Sequence, residues 1–177
     1  NFEFLWYLGV LVILFALILW TLPKSRFDSF ILSGLSLWGF LHLAGGALQI
    51  HGEVLYDWVL LPLVSNGEIV LLKYDQVLHF YGFALTTYIG YHLLQSQLLP
   101  AASRKTVGFI LFGFGMGMGA LNEVVEFIAV LTAPETGVGG YINTALDLTF
   151  NMLGVLFALA CIFMLRKKDT VLFGSGS

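Results

Sequence analysis

Cysteine is nearly absent from this chain. The single Cys161 lies in an apolar run, so neither a disulfide framework nor a thiolate metal site can be built. Charge is almost as scarce. Only 11% of the 177 residues are Asp, Glu, Lys or Arg, against about 25% in a soluble domain. With 58% hydrophobic residues, a soluble fold of this size could not hide its apolar surface, so lipid is the implied solvent. A net charge of -3 gives no footing for nucleic acid. The first apolar run does not read as a cleavable signal either, because Pro23-Lys24-Ser25-Arg26 follows it where an Ala-x-Ala-type site would stand.

What the sequence does contain is long apolar runs. A bilayer core of roughly 30 Å takes about 20 residues of helix, and five runs qualify: Phe4 to Leu22, Ser29 to Leu48, Tyr74 to Leu99, Val107 to Leu131 and Asn143 to Leu165. No period-2 alternation supports membrane strands. The fold expected is an all-α polytopic bundle of five transmembrane helices, forming one domain over residues 1–173. The 49–73 connection, interrupted by Pro62 and Asn66-Gly67, forms an interfacial flap over the helix ends. Gly174 to Ser177 reads as an appended linker, and a start at Asn1 rather than Met leaves room for upstream sequence, including a further helix.

Of the eight basic residues, Lys24, Arg26, Arg104, Lys105, Arg166, Lys167 and Lys168 fall on one side of such a bundle, and only Lys73 on the other. The positive-inside rule makes the richer side cytoplasmic. The N-terminus is therefore expected outside and the C-terminus inside. Gly113, Gly115, Gly117 and Gly119 form two overlapping Gly-x-x-x-Gly pairs, suited to close helix packing in lipid.

Ionisable groups within spans are costly and so are functional candidates. Here they share one layer. His42 lies about six residues, or roughly 9 Å, before the outer end of the second helix. Asp75 and His79 open the third, Glu123 and Glu126 lie in the outer half of the fourth, and Asp147 and Asn151 in the first turns of the fifth. Spacings of three and four put each set on one helix face, and Asn143 and Gly154 extend the last stripe. Carboxylates and imidazoles without thiolate match a divalent-metal site between helices, for Zn, Mn or Fe. Two alternatives stand beside it: a metal-free acid/base site and a static polar network. His51, Glu53, Tyr56 and Asp57 in the flap are placed to act as a lid, with solvated loop residues as the alternative reading. His92, about 20 Å further along its helix than His79, reads as a packing residue. Glu68 and Glu135 read as solvent-facing charges.

The motifs Tyr74-Asp75-x-x-x-His79-Phe80, Glu123-x-x-Glu126 and Asp147-x-x-x-Asn151-x-x-Gly154 together resemble the VanZ-like family of bacterial membrane proteins. With His42-x-x-Gly45-Gly46 in front, the chain resembles the YjdF-like inner-membrane group more closely. The match runs from about His42 to Gly154. The resemblance implies a bacterial-type inner-membrane protein and, through VanZ-like members, a link to the cell envelope and teicoplanin-type glycopeptide resistance. The chain departs from that pattern in three places. Gln76 stands where the family usually has Lys, Glu126 where it often has Gln, and the loop before Asp147 lacks the family's Arg, since no Arg or Lys occurs between residues 106 and 165. A family role in gripping an anion does not carry over.

The leading function is a metal-dependent, hydrolase-like enzyme acting at the outer leaflet on a lipid or lipid-linked envelope molecule. His42, Asp75, His79, Glu123 and Asp147 would hold the metal, Glu126 would act as general base, and Asn151 would orient substrate or a ligand. A cation or proton transporter and a non-catalytic envelope-binding factor are the alternatives.

Overall fold

The computed structural model describes residues 2–62, 65–66, 69–70, 72–98, 102–132 and 140–173. Five helices account for most of them: α1 (Phe2–Ser25), α2 (Ser29–Ala47), α3 (Tyr74–Gln95), α4 (Arg104–Thr132) and α5 (Tyr141–Phe173). Each expected span is present. α3 ends before the predicted Leu99, a residue outside the described set together with Glu68, Glu135 and the 174–177 linker. α5 instead continues through the basic residues 166–168, because a helix need not stop where the lipid does. Pro23 is accommodated in the last turn of α1, where few downstream bonds depend on it. The turn closes through Arg26, whose left-handed φ of 50° lets its N–H reach the Leu22 carbonyl at 3.1 Å. Asp28 then caps α2, accepting from Ile31 N–H at 2.9 Å. Two residues between Arg26 and Ser29 thus reverse the chain.

Among the described residues, four helical segments are long and apolar enough to cross a membrane: Leu8–Ser25, Ser29–Ala47, Arg104–Thr132 and Tyr141–Met164. α3 is not among them: the five expected runs are all helices, and α3 is the one that falls short in apolar content. The reason lies in its burial. Gln76, His79 and Thr87 are buried, since α3 packs against α2, α4 and α5 and meets protein where the others meet lipid. The outward faces of the other helices carry large exposed apolar residues, among them Trp20, Phe40, Phe109 and Phe127. At 22 residues, α3 is still about 33 Å long and matches a bilayer core.

The closest helix contact joins α3 to α5. A side chain on Gly154 would collide with the Phe80 carbonyl oxygen and stand 3.0 Å from Ala84 N. Of the two glycine pairs on α4, only one is at an interface. A Cβ on Gly115 would meet Val155 at 2.6 Å, and one on Gly119 would meet Asn151 at 2.9 Å. Gly113 and Gly117 face open space. Beside these contacts Val107, Leu111, Val155, Leu159 and Ile162 form a tight apolar cluster between α4 and α5.

The flap contains two hairpins of two-residue strands, small strands outside the spans that the reading of apolar runs did not register. β1 (Gln49–Ile50) pairs with β2 (Glu53–Val54), and β3 (Ser65–Asn66) with β4 (Ile69–Val70). The first hairpin turns on His51 and Gly52, both with positive φ, at 53° and 91°. A short 3₁₀ turn, Leu55–Asp57, ties the flap to α2. The Tyr56 hydroxyl donates to the His42 carbonyl at 2.7 Å, and Tyr74 at the start of α3 donates to the Leu41 carbonyl at 2.8 Å. The N-terminus of α3 is finished by Gln76, whose side-chain oxygen accepts from Leu72 and Lys73 N–H at 2.7 and 3.2 Å. Gln76 is therefore a structural cap.

Candidate functional site

The polar layer is organised around His79. It lies two turns into α3 with a side chain only 8% exposed. Its Nδ1 faces Asn151 Oδ1 on α5 at 2.9 Å, and since that oxygen only accepts, Nδ1–H is the donor. Nε2 then carries the lone pair of the neutral ring, with Asp75 Oδ1 at 3.6 Å and Glu126 Oε1 at 3.9 Å. Glu123 Oε1 lies 4.0 Å from Nδ1. The spacing explains the convergence: Asp75 is one turn before His79, and Glu123 and Glu126 lie three residues apart on one face of α4. Gly119 and Gly154 remove the side chains that would hold α4 and α5 away.

Behind His79, Asp147 and Asn151 are fully buried. Asn143 donates to Asp147 Oδ2 at 2.6 Å. Asp147 Oδ1, both Glu123 carboxylate oxygens and Asn151 Nδ2 are buried with no hydrogen-bond partner. A buried carboxylate oxygen left unpaired is costly and calls for an explanation. Two sets of ligand atoms each gather within 4.8 Å: Asp75, His79 and Asp147, and His79, Glu123 and Glu126. Both are spans that ligands around a single divalent cation can bridge.

The structure thus brings together six of the residues singled out from the sequence: Asp75, His79, Glu123, Glu126, Asp147 and Asn151. His42 stands outside both ligand sets. Its ring stacks on Trp38 at 5.0 Å and edges against Tyr56 at 5.5 Å. Of the flap residues, Asp57 reaches the site region and pairs with Lys73 at 3.2 Å. His51 and Glu53 are exposed in the first hairpin. His51 stands there because its backbone forms the turn. His92 donates from Nε2 to the Ser25 carbonyl at 3.1 Å and packs edge-on to Phe27, tying α3 to the α1–α2 turn.

Asn122 is the site residue that the sequence reading passed over. Its Nδ2 donates to Glu126 Oε1 at 2.7 Å and fixes that carboxylate. The signal was available, since Asn122 precedes Glu126 by four residues and so shares its face.

A cavity of about 340 Å³ opens onto this cluster. Asp75, His79, Asn122, Glu126 and Asn143 line its polar end, with His42, Tyr56 and Asp57 beside them. The rest of the wall is apolar apart from Thr86 and comes from α1, α2, α3 and α4, with Val54 from the flap. Asp147, Glu123 and Asn151 are not part of the wall, which separates groups facing the cavity from groups supporting them.

Comparison with known proteins agrees with this architecture. No solved structure matches the chain. A Thermotoga maritima protein, titled only as uncharacterized, is 36% identical over 135 residues, which cover 73% of this chain and 58% of the relative. The chain therefore spans little more than half the length of that relative. The family described as "Predicted membrane protein (DUF2238)" matches residues 1–168, and the chain belongs to that family.

Proposed function

We propose that this membrane protein is a metal-dependent, hydrolase-like enzyme that acts on a lipid or lipid-linked envelope molecule at the end of the bundle carrying the flap. The observation that carries the reading is the buried, unpaired Asp147 Oδ1 beside His79 and Asp75. Four carboxylates around one imidazole hold an excess of negative charge that a divalent cation offsets. Asp75, His79 and Asp147 would hold it, with Glu123 supplying a further carboxylate, and the oxygen and nitrogen donors suit Zn, Mn or Fe. Bound there, such an ion lowers the pKa of a coordinated water and polarises an ester or phosphoester oxygen.

The remaining roles belong to the chain. Asn151 accepts the Nδ1–H of His79 and so presents Nε2 as the ligand. Glu126 faces the cavity, held by Asn122, and is the general base that takes a proton from water. His42, in the wall beside Trp38 and Tyr56, is placed against the substrate. The apolar cluster of Leu111, Val155, Leu159 and Ile162 fills the α4–α5 interface, which favours a closed pocket over a conducting path. Bacterial inner-membrane placement and the VanZ-like and YjdF-like resemblance belong to the same proposal.

Protein purified and dialysed against Zn²⁺ or Mn²⁺ is expected to retain about one equivalent of metal, and Asp75→Ala to lose it. Wild-type protein as metal-free as the variant would defeat the proposal. Asn151→Leu is expected to weaken metal binding by about 10- to 100-fold, as loss of a ligand's orienting partner does. Glu126→Gln is expected to retain metal while turnover of an extracted envelope lipid mixture, followed by mass spectrometry, falls about 10²- to 10⁴-fold. The orientation is tested separately in a Cys161→Ser background. With an impermeant thiol reagent on intact cells, Glu53→Cys labels and Ser103→Cys does not; the reverse result inverts the topology.

A further inference from the structure

The cavity is deeper than its polar end requires. Along α3 it extends from Asp75 to Thr86, eleven residues or about 16 Å of helix. That is close to half of a roughly 30 Å hydrocarbon core, the depth of one leaflet. Its deep walls are apolar, with Val10, Leu14 and Ile18 along one face of α1 opposite Leu35 and Leu85. Leu14 and Phe15 both line this space and remain 39% and 36% exposed. Trp38 lines the cavity and packs on Gly82, where a Cβ would meet its Nε1 at 2.7 Å. At 340 Å³ the volume is near the lower end for ligand pockets, about 300–1,000 Å³, which suits one chain better than a pair.

We propose that the cavity receives a single acyl or prenyl chain of a membrane amphiphile, laid between α1 and α3, with its polar head at Asp75, His79 and Glu126. The inference deepens the proposed function by naming the substrate class and the residues that measure its tail. Placement of the head rests on that reading; placement of the tail rests on the cavity alone. Burying a chain in a slot one leaflet deep replaces lipid contacts with protein contacts at little cost, so tail length and branching are read by Leu14, Ile18 and Leu35, while chemistry is read at the polar end.

Trp38 provides the test. A variant with Trp6→Phe, Trp20→Phe and Trp58→Phe retains Trp38 as the sole indole, and it is placed in nanodiscs of unbrominated phosphatidylcholine. A mid-chain dibrominated fatty acid is then titrated in. Quenching of Trp38 is expected to saturate, and Leu14→Phe and Leu35→Phe, which fill the slot from two different helices, are each expected to weaken it about ten-fold, the equivalent of denying the chain two methylenes. Thermal unfolding identifies a variant that has failed to fold, in which case the other decides. Quenching that rises without saturation, or that neither filled variant alters, overturns the proposal, as does equal quenching in discs of dibrominated phosphatidylcholine regardless of those substitutions. Mn²⁺ binding by electron paramagnetic resonance keeps the two ideas apart. Asp147→Asn, which alters a carboxylate outside the cavity wall, is expected to lose Mn²⁺ and retain saturable quenching, whereas the filled variants retain Mn²⁺. Absence of Mn²⁺ binding with saturable quenching sinks the metal reading and leaves the tail slot standing.

Discussion

Asp147→Asn is expected to abolish metal-dependent stabilisation while leaving the metal-free protein at least as stable as the wild type. The substitution is nearly isosteric and removes one charge from a position with no exposure. Asn143, which donates to Asp147 Oδ2 at 2.6 Å, can keep that bond to the amide oxygen of the new side chain. The other oxygen, Oδ1, has no partner to lose. Removing a buried charge of this kind relieves desolvation, so the metal-free melting temperature is unchanged or raised. The wild type behaves differently once metal is added. Binding to the folded state alone adds RT ln(1 + [L]/Kd), about 2.7 kcal/mol when metal stands at 100 times its Kd. The variant, lacking an anionic ligand, gains little at the same concentration. Thermal unfolding in detergent with and without Mn²⁺ or Zn²⁺ measures both halves. A static polar network predicts the opposite pattern: Asp147→Asn destabilises the protein by about 3–5 kcal/mol because a buried charge loses its partner, and metal affects neither form.

The sequence made the bundle legible because lipid imposes so simple a rule. Apolar runs of spanning length can only be helices, and each helix began within a few residues of its expected place, with α5 alone running well past its expected end. The shared depth of Asp75, His79, Glu123, Glu126 and Asp147 was legible for the same reason, since rise per residue turns sequence position into height. Lateral direction was less accessible. His42 shares the layer, yet its ring is taken up by Trp38 and Tyr56, a choice made by aromatic packing that depth does not encode. His51 carries an imidazole but is used for its backbone, in a position more often given to Asn or Gly. Gly113 and Gly117 have the same spacing as Gly115 and Gly119, and only rotation of α4 about its axis decides which pair meets α5. Volume was least legible of all. The cavity is lined by residues of α1, α2, α3 and α4 together, and nothing in the apolar pattern of α1 distinguishes a face against protein from a face against a cavity.

Gly154→Ala is expected to be the most damaging single-methyl change in the chain. Most overpacking substitutions cost about 1–3 kcal/mol, because a neighbouring side chain can turn aside. Here the obstacle is the backbone of α3, the Phe80 carbonyl oxygen and Ala84 N, which cannot move without moving the helix. A loss of about 3 kcal/mol or more is expected in detergent unfolding. Gly117→Ala on α4 faces open space and is expected to be neutral or to gain about 0.5–1 kcal/mol from reduced chain entropy. The second consequence reaches the site. Phe80 follows His79 directly, and Gly154 lies one turn beyond Asn151, so separating α3 from α5 at that contact lengthens the 2.9 Å bond that orients the imidazole. Gly154→Ala therefore weakens metal binding along with the fold, in the range of about 10- to 100-fold expected when a ligand's orienting partner is lost. The two losses occur together because the contact that closes the bundle is also the one that aims His79. If Gly154→Ala matches Gly117→Ala in both measurements, α3 and α5 do not meet at the register described.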